Sequence, residues 1–166
     1  MVLSTSDFTS RSVLLKDLTP AGLSFFTNYH SRKAQAIDRD SRVSLLFPWY
    51  VMERQVIITG DATRVSDEVS DAYFASRPYG SQIGAWASSQ SEPLSSRSEL
   101  EAKVTEMSER YPEGTLVPRP AHWGGFVVMP TTIEFWQGRY SRLHDRIRYI
   151  KVDGNPMSWQ RIRLNP

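Results

Sequence analysis

Two periodicities divide the chain. Val43, Leu45, Phe47 and Trp49 alternate with Ser44, Leu46 and Pro48, which predicts a strand with one strongly apolar face. Gln55 to Val65 is β-branched and predicts a second strand that crosses Gly60. Ahead of these, Ser12 to Leu18 and Leu23 to Tyr29 read as two strands joined by the Pro/Gly turn Thr19-Pro20-Ala21-Gly22. Ser31 is placed to cap a short helix through Asp38, with Ala34 and Ile37 on its apolar face. Helical spacing appears twice more. Ser66-Asp67-Glu68 opens a helix that should stop before Pro78, and the capping box Ser96-x-x-Glu99 opens another. The second carries Leu100, Val104, Met107 and Tyr111 as a stripe expected to be core. Pro112 to Pro120 reads as a loop. Strands follow at Phe126–Met129, Thr132–Trp136, Leu143–Val152 and Trp159–Leu164, the last two joined by a turn at Asp153-Gly154-Asn155-Pro156.

Mostly antiparallel strands with interspersed helices predict an α+β fold, mainly β, in which helices pack outside a barrel. The 166 residues suit one domain, and no repeat or linker divides them. A net charge of +2 gives no broad basic surface for nucleic acid. The absence of cysteine removes disulfides, thiolate metal sites and thiol nucleophiles. Val43 to Met52 is about half a membrane span, and no signal peptide is visible, so a soluble cytoplasmic protein without a membrane role is expected. His30, His122 and His144 lack metal-ligand spacing, and no Walker loop, GxGxxG or GxSxG elbow is present.

Chemistry concentrates in four runs. On a strand, Arg142, His144 and Arg146 would share one face near Trp136 and Gly138, a seat for an anionic aromatic ligand. A solvated face with Asp145 pairing an arginine fits that spacing equally well. In SRSVLLK (10–16), alternation sends Ser12, Leu14 and Lys16 to one face and Arg11, Val13 and Leu15 to the other. Arg11 and Lys16 can then share a ligand only if it wraps the strand end or the strand is irregular. Ser31-Arg32-Lys33 offers helix-start N–H groups beside two cations, a phosphate seat or an ordinary N-terminal turn. Tyr73 and Arg77 are four apart, hence on one helix face, with Ser81 after a Pro/Gly turn and Gln90 and Ser91 beyond. A helix C-terminus with a stabilising arginine accounts for Arg77 as well.

Nine segments in order resemble the pyridoxamine (pyridoxine) 5′-phosphate oxidase family. They are SRSVLLK, FFTNYHSRKA (25–34), SLLFPW (44–49), ERQV (53–56), SRPYGSQIGAW (76–86), SSQS (88–91), WGGF (123–126), FWQGRYSRLHDR (135–146) and the terminal RLNP. The resemblance implies an FMN-binding split β-barrel and a homodimer with two FMN sites at the subunit interface. It implies that Arg11, Ser12, Val13, Leu14, Leu15, Lys16, Phe26, Thr27, Arg32, Lys33 and Gln55 hold FMN, with Gln90, Ser91, Trp136 and Arg146. Lys16, Tyr73, Arg77, Ser81, Arg142, Leu143 and His144 would meet the substrate, pyridoxamine or pyridoxine 5′-phosphate. Arg142 and His144 would stand beside the reacting carbon. The activity implied is oxidation to pyridoxal 5′-phosphate, with O₂ as acceptor and H₂O₂ as product. The family's N-terminal extension has no counterpart here, and the turn from Thr5 to Thr9 is shorter than usual. That makes a non-catalytic FMN- or pyridoxal-phosphate-binding barrel the alternative. A nucleic-acid-binding barrel, using arginines and aromatics, is disfavoured by the modest net charge.

Overall fold

The computed structural model describes residues 1–152 and 158–166. Among them an antiparallel sheet holds nine strands. These are β1 (Val2–Thr5), β2 (Ser10–Ser12), β3 (Asp17–Thr19), β4 (Gly22–Asn28), β5 (Arg42–Trp49), β6 (Arg54–Arg64), β7 (Trp123–Gln137), β8 (Asp145–Lys151) and β9 (Trp159–Leu164). The helices are α1 (Arg32–Arg39), α2 (Asp67–Ala75), α3 (Tyr79–Ala87) and α4 (Arg97–Arg110). This is the mainly β, α+β class that the alternation predicts.

The long strand β7 organises the sheet. β6 follows it from Arg54 opposite Gln137 to Arg64 opposite Phe126. Along its other edge, β7 pairs with β4 through Trp123–Val128 and with β8 through Thr132–Gln137. The change of partner falls at Met129–Thr131, where Pro130 has no N–H to donate and the register with β6 shifts between Thr59 and Gly60. The two strands read at 126–129 and 132–136 are therefore one strand with a bulge, and the sheet splits there. Gly60 permits the close approach: a Cβ on it would lie 2.1 Å from the Met129 carbonyl oxygen.

The main core lies under this sheet. Leu3, Phe25, Leu45, Ile58, Phe126 and Val128 are buried in it, and Ala34 and Ile37 seal it from α1 as their spacing predicts. Phe25 stacks on Phe126 with ring centroids 5.6 Å apart. A second cluster of Phe74, Ile83, Val117 and Trp123 fastens α2 and α3 to the start of β7.

Several local expectations are corrected. The strand expected over Ser12–Leu18 breaks into β2 and β3. Its middle is tied elsewhere, with Val13 N–H donating to the Met1 carbonyl and Lys16 N–H to that of Ser24. The Pro/Gly turn before Ser81 is instead the start of α3. Pro78, at φ −54°, caps that helix, and Ile83 and Ala87 bury one face of it. Arg77 lies just beyond the end of α2, its N–H donating to the Phe74 carbonyl in a last tight turn. The α4 stripe is not core, since no residue of α4 is buried. Only Met107, with Tyr111 just past the helix, packs partly on the second cluster. Its capping box is offset: Ser96 Oγ accepts from Glu99 N–H, but the Glu99 carboxylate accepts from Ser95. The strand expected from Leu143 begins at Asp145. The turn expected at Asp153–Pro156 lies outside the described residues.

Candidate active site

The first candidate site is a cavity of about 750 Å³ where β4, α2, α3 and the 13–16 segment converge. Ser12, Val13, Leu14, Lys16, Phe26, Thr27, Lys33 and Gln90 line it, and so do Tyr73, Arg77 and Ser81. The stretch between β2 and β3 is irregular, so Ser12, Val13 and Leu14 all reach one cavity with Lys16, while Arg11 does not line it. Leu15 does not; it lines an apolar groove on the sheet.

Aromatic rings floor the cavity. Phe26 lies 4.0 Å from Tyr73 and 5.5 Å from Trp123, in both cases near-parallel. The Arg77 guanidinium sits 4.5 Å above the Trp123 ring, and its Nη1 is buried without a hydrogen-bond partner among the described residues. A buried guanidinium N–H without an acceptor is costly, and an anion is the group that satisfies it. Lys16 Nζ stands 5.5 Å from the Tyr73 ring beside it.

Lys33 also lines the cavity, and Arg11 and Arg32 lie near it without lining the cavity themselves. Lys33 Nζ donates to Gln90 Oε1 at 2.8 Å and to Thr27 Oγ1 at 3.1 Å. Burial, then the nearby Arg11, push the Lys33 ammonium down to about 8. Arg32 donates through Nε to Asp7 at 3.0 Å, and its backbone N–H is capped by Ser91 Oγ at 3.2 Å. The Thr5 and Thr9 hydroxyls, together with Arg32, hold the Asp7 carboxyl far below the usual carboxylate range. Both hydroxyl oxygens also accept from Arg11. Arg11, Arg32 and Lys33 thus carry three positive charges against the single Asp7, a balance suited to a phosphate dianion.

The C-terminal run behaves differently. Arg142, His144 and Arg146 do not share a strand face, because Ser141 and Arg142 take positive φ (57° and 62°) in a 3-10 turn before β8 begins. His144 packs on Trp136, ring centroids 4.8 Å apart, and with Gln55 they line a separate cavity of about 350 Å³. His144 Nδ1 accepts the Arg139 N–H at 3.1 Å, so in the neutral ring Nε2 carries the proton. Arg142 and Leu143 are exposed. Arg146 and Arg148 both pair with Glu134, a buried carboxylate on β7. Burial alone would raise Glu134, but the hydrogen bonds from Arg148 and Arg146 hold it below its ordinary value. Asp145 takes up Arg139 and Arg163 instead.

Residues 3–111 match the family model described as pyridoxamine 5′-phosphate oxidase. The chain belongs to the pyridoxamine 5′-phosphate oxidase family. Residues 123–166 match a second model, the pyridoxine 5′-phosphate oxidase C-terminal dimerisation region. The pyridoxine/pyridoxamine 5′-phosphate oxidase of Thermobifida fusca is 53% identical, the match covering all of this chain and 78% of that one. The enzyme of the same name from Actinobacillus pleuropneumoniae is 56% identical over 95% of this chain and 73% of its own. Among solved structures, PhzG from Burkholderia lata, in complex with tetrahydrophenazine-1-carboxylic acid, superposes with a TM-score of 0.90. It is 28% identical, over 99% of this chain and 81% of that one. An FMN-binding protein of Nostoc punctiforme related to pyridoxamine 5′-phosphate oxidase shares the fold, with a TM-score of 0.74 at 13% identity. It covers 99% of this chain and 86% of its own.

Of the residues named from the sequence, Arg11, Leu15, Arg32, Gln55, Ser91, Trp136, Arg142, Leu143, His144 and Arg146 do not line the first cavity. Glu134, Asp7 and Trp123 were not assigned roles from the sequence. WGGF carried Trp123 only as a motif, and a lone glutamate between apolar residues gives no local sign that two arginines will meet it. No described helix is long and apolar enough to cross a membrane.

Proposed function

We propose that the protein oxidises pyridoxamine 5′-phosphate and pyridoxine 5′-phosphate to pyridoxal 5′-phosphate with bound FMN, reducing O₂ to H₂O₂. One observation carries the reading furthest: a single cavity is lined by Lys33 as well as by Lys16 and Arg77, with the rings of Phe26, Tyr73 and Trp123 among its walls. Two phosphorylated ligands fit that arrangement. The Lys33 end, with Arg11 and Arg32 nearby, suits the phosphate of a flavin, with Ser12, Val13, Leu14, Lys16, Phe26, Thr27 and Gln90 lining the cavity and Ser91 on the Arg32 N–H. The Lys16, Tyr73, Arg77 and Ser81 end suits the phosphate of the substrate, where Arg77 Nη1 lacks an acceptor.

FMN, when bound, supplies the two-electron acceptor that takes a hydride from the substrate's exocyclic carbon and is reoxidised by O₂. The chain's own residues bind and orient. Holding the remote phosphate converts binding energy into position of the reacting carbon. His144 offers the Nε2 proton as a hydrogen-bond donor, and Arg142 brings a permanent charge. Gln55, Trp136, Leu143 and Arg146 belong to this second half of the site.

None of the residues 136–146 lines the first cavity. A homodimer accounts for the separation: the C-terminal run of one subunit closes the cavity of the other. The match to a dimerisation region supports this, as does the apolar groove of about 650 Å³ lined by Leu15, Phe47, Trp49, Ile133, Phe135 and Trp159. On this reading the 166 residues act as one split-barrel domain in the cytoplasm.

Aerobic incubation of the FMN-loaded protein with pyridoxine 5′-phosphate should yield pyridoxal 5′-phosphate and peroxide in equal amounts. Flavin bound without product would replace the oxidase with the non-catalytic binder. Lys33 adds a pH dependence. A phosphate dianion favours its charged form, and in the free protein that proton is lost above about 8. Affinity for FMN should therefore fall as pH rises through about 8, while affinity for riboflavin, which lacks the phosphate, stays level. Flavin fluorescence titrations from neutral to alkaline pH would measure both, and Lys33→Met should abolish the difference. Parallel curves for the two flavins in the wild type would refute the assignment.

A further inference from the structure

Arg119, in the loop before β7, has a side chain only 10% exposed. Every nitrogen of its guanidinium is engaged. Nε donates to Asp71 Oδ1 at 2.5 Å, Nη2 to Asp67 Oδ1 at 2.7 Å, and Nη1 to the Trp123 carbonyl at 2.7 Å. Asp67 and Asp71 are four residues apart on one face of α2. Their side chains are 82% and 61% exposed, so as ion pairs they contribute little stability. The geometry they impose is another matter.

The helix's other holds on the sheet are side-chain contacts, among them the Tyr73 ring stacked 4.0 Å from Phe26. The helix buries only Ser70 and Phe74: Ser70 Oγ accepts the Gly125 N–H at 3.3 Å, and Phe74 meets Trp123 edge-on at 5.1 Å. The far end of α2 carries Tyr73 and leads directly into Arg77. Trp123 carries the ring on which Arg77 stacks and against which Phe26 and Tyr73 lie. Arg119 thus ties the helix that bears Tyr73 and leads into Arg77 to Trp123, whose ring lines their cavity. Its fork spans both at once, which a single-point cation does not do.

We propose that Arg119 is a positioning residue: it fixes Tyr73 and Arg77 against Trp123 and so sets the grip on the substrate's phosphate. The inference rests on the oxidase reading above. Arg119 touches neither ligand, and displacement of a binding group by an ångström is enough to weaken a site built from directed hydrogen bonds.

The test uses the FMN-loaded protein. Arg119→Met should raise KM for pyridoxine 5′-phosphate about tenfold while kcat stays within about threefold. Competitive inhibition by inorganic phosphate should weaken in parallel, and FMN affinity should hold within about twofold. Arg119→Lys, which keeps the charge and one carboxylate contact, should recover part of the loss. Unchanged KM and phosphate inhibition would overturn the proposal. So would a uniform fall of kcat, substrate binding and FMN affinity, which marks general loosening. Should Arg119→Met not fold, Asp71→Asn on the exposed rim tests the same tie, with KM expected to rise about two- to threefold. An unchanged KM there overturns the proposal as well. A wild-type protein with neither turnover nor phosphate inhibition would remove the oxidase reading itself, whereas an active wild type matched by Arg119→Met removes only this inference.

Discussion

Arg77→Met is expected to raise KM for the phosphorylated substrate about a hundredfold, with FMN still bound. The side chain does two separable things. Its flat guanidinium packs on Trp123 at 4.5 Å and lies 5.4 Å from Phe74, contacts that a methionine of similar length largely replaces. Its Nη1 is buried without an acceptor, and burial lowers the affinity of the group for its proton. In the free protein that N–H is an uncompensated cost; with a phosphate in place it becomes a charge-assisted hydrogen bond inside a partly dry pocket. Losing such bonds is worth about 3 kcal/mol, hence two orders of magnitude. The same bookkeeping predicts that Arg77→Met melts no lower than the wild type, since an unsatisfied group is removed. Steady-state kinetics with pyridoxine 5′-phosphate, beside thermal melts and flavin titration, would read all three. A KM within twofold of the wild type would place the phosphate elsewhere.

Arg142→Ala should keep its flavin yet lose at least about a hundredfold in turnover, and that loss should be rescued in trans by Arg77→Met. Each variant is defective in a different half of the site: Arg77 lines the first cavity, whereas Arg142 is exposed outside it. If the C-terminal run of one subunit serves the cavity of its partner, a mixed dimer holds one doubly damaged site and one intact site. Random assortment makes half the dimers mixed, so co-expressed subunits, assayed with substrate far below the KM of Arg77→Met, should regain roughly a quarter of wild-type activity. Separately purified and unmixed variants should not. The experiment is sharp because a site completed within one chain has no intact copy in any combination, and activity would stay at the level of the single variants.

How much of this was legible beforehand depends on the range of the interactions involved. The caps at Ser66 and Ser96, the apolar faces of β5 and α1, and the long β-branched strand β6 follow from neighbours a few residues apart, which spacing records directly. α3 was missed because Pro78 and Gly80 signal a turn, although Pro starts helices as readily as it stops them. The α4 stripe shows the converse failure: helical spacing records that a face is apolar, without recording whether anything lies against it.

By itself the sequence determined the strand-rich class, the family, and the residue types at each end of the principal cavity, because those follow from local periodicity and motifs in order. Tertiary structure alone decided how they combine. Backbone hydrogen bonds from Val13 to the Met1 carbonyl and from Lys16 to the Ser24 carbonyl divide the 12–18 strand between two partners, and Ser12, Val13, Leu14 and Lys16 all line one cavity. Left-handed backbone at Ser141 and Arg142 ends the alternation that would have aligned Arg142, His144 and Arg146. Glu134 then takes Arg146 from a neighbouring strand, leaving Arg142 exposed. The reason is common to all three. Spacing fixes which side chains can share a face only while the backbone stays regular, and regularity ends at the 13–16 segment and at Ser141–Arg142.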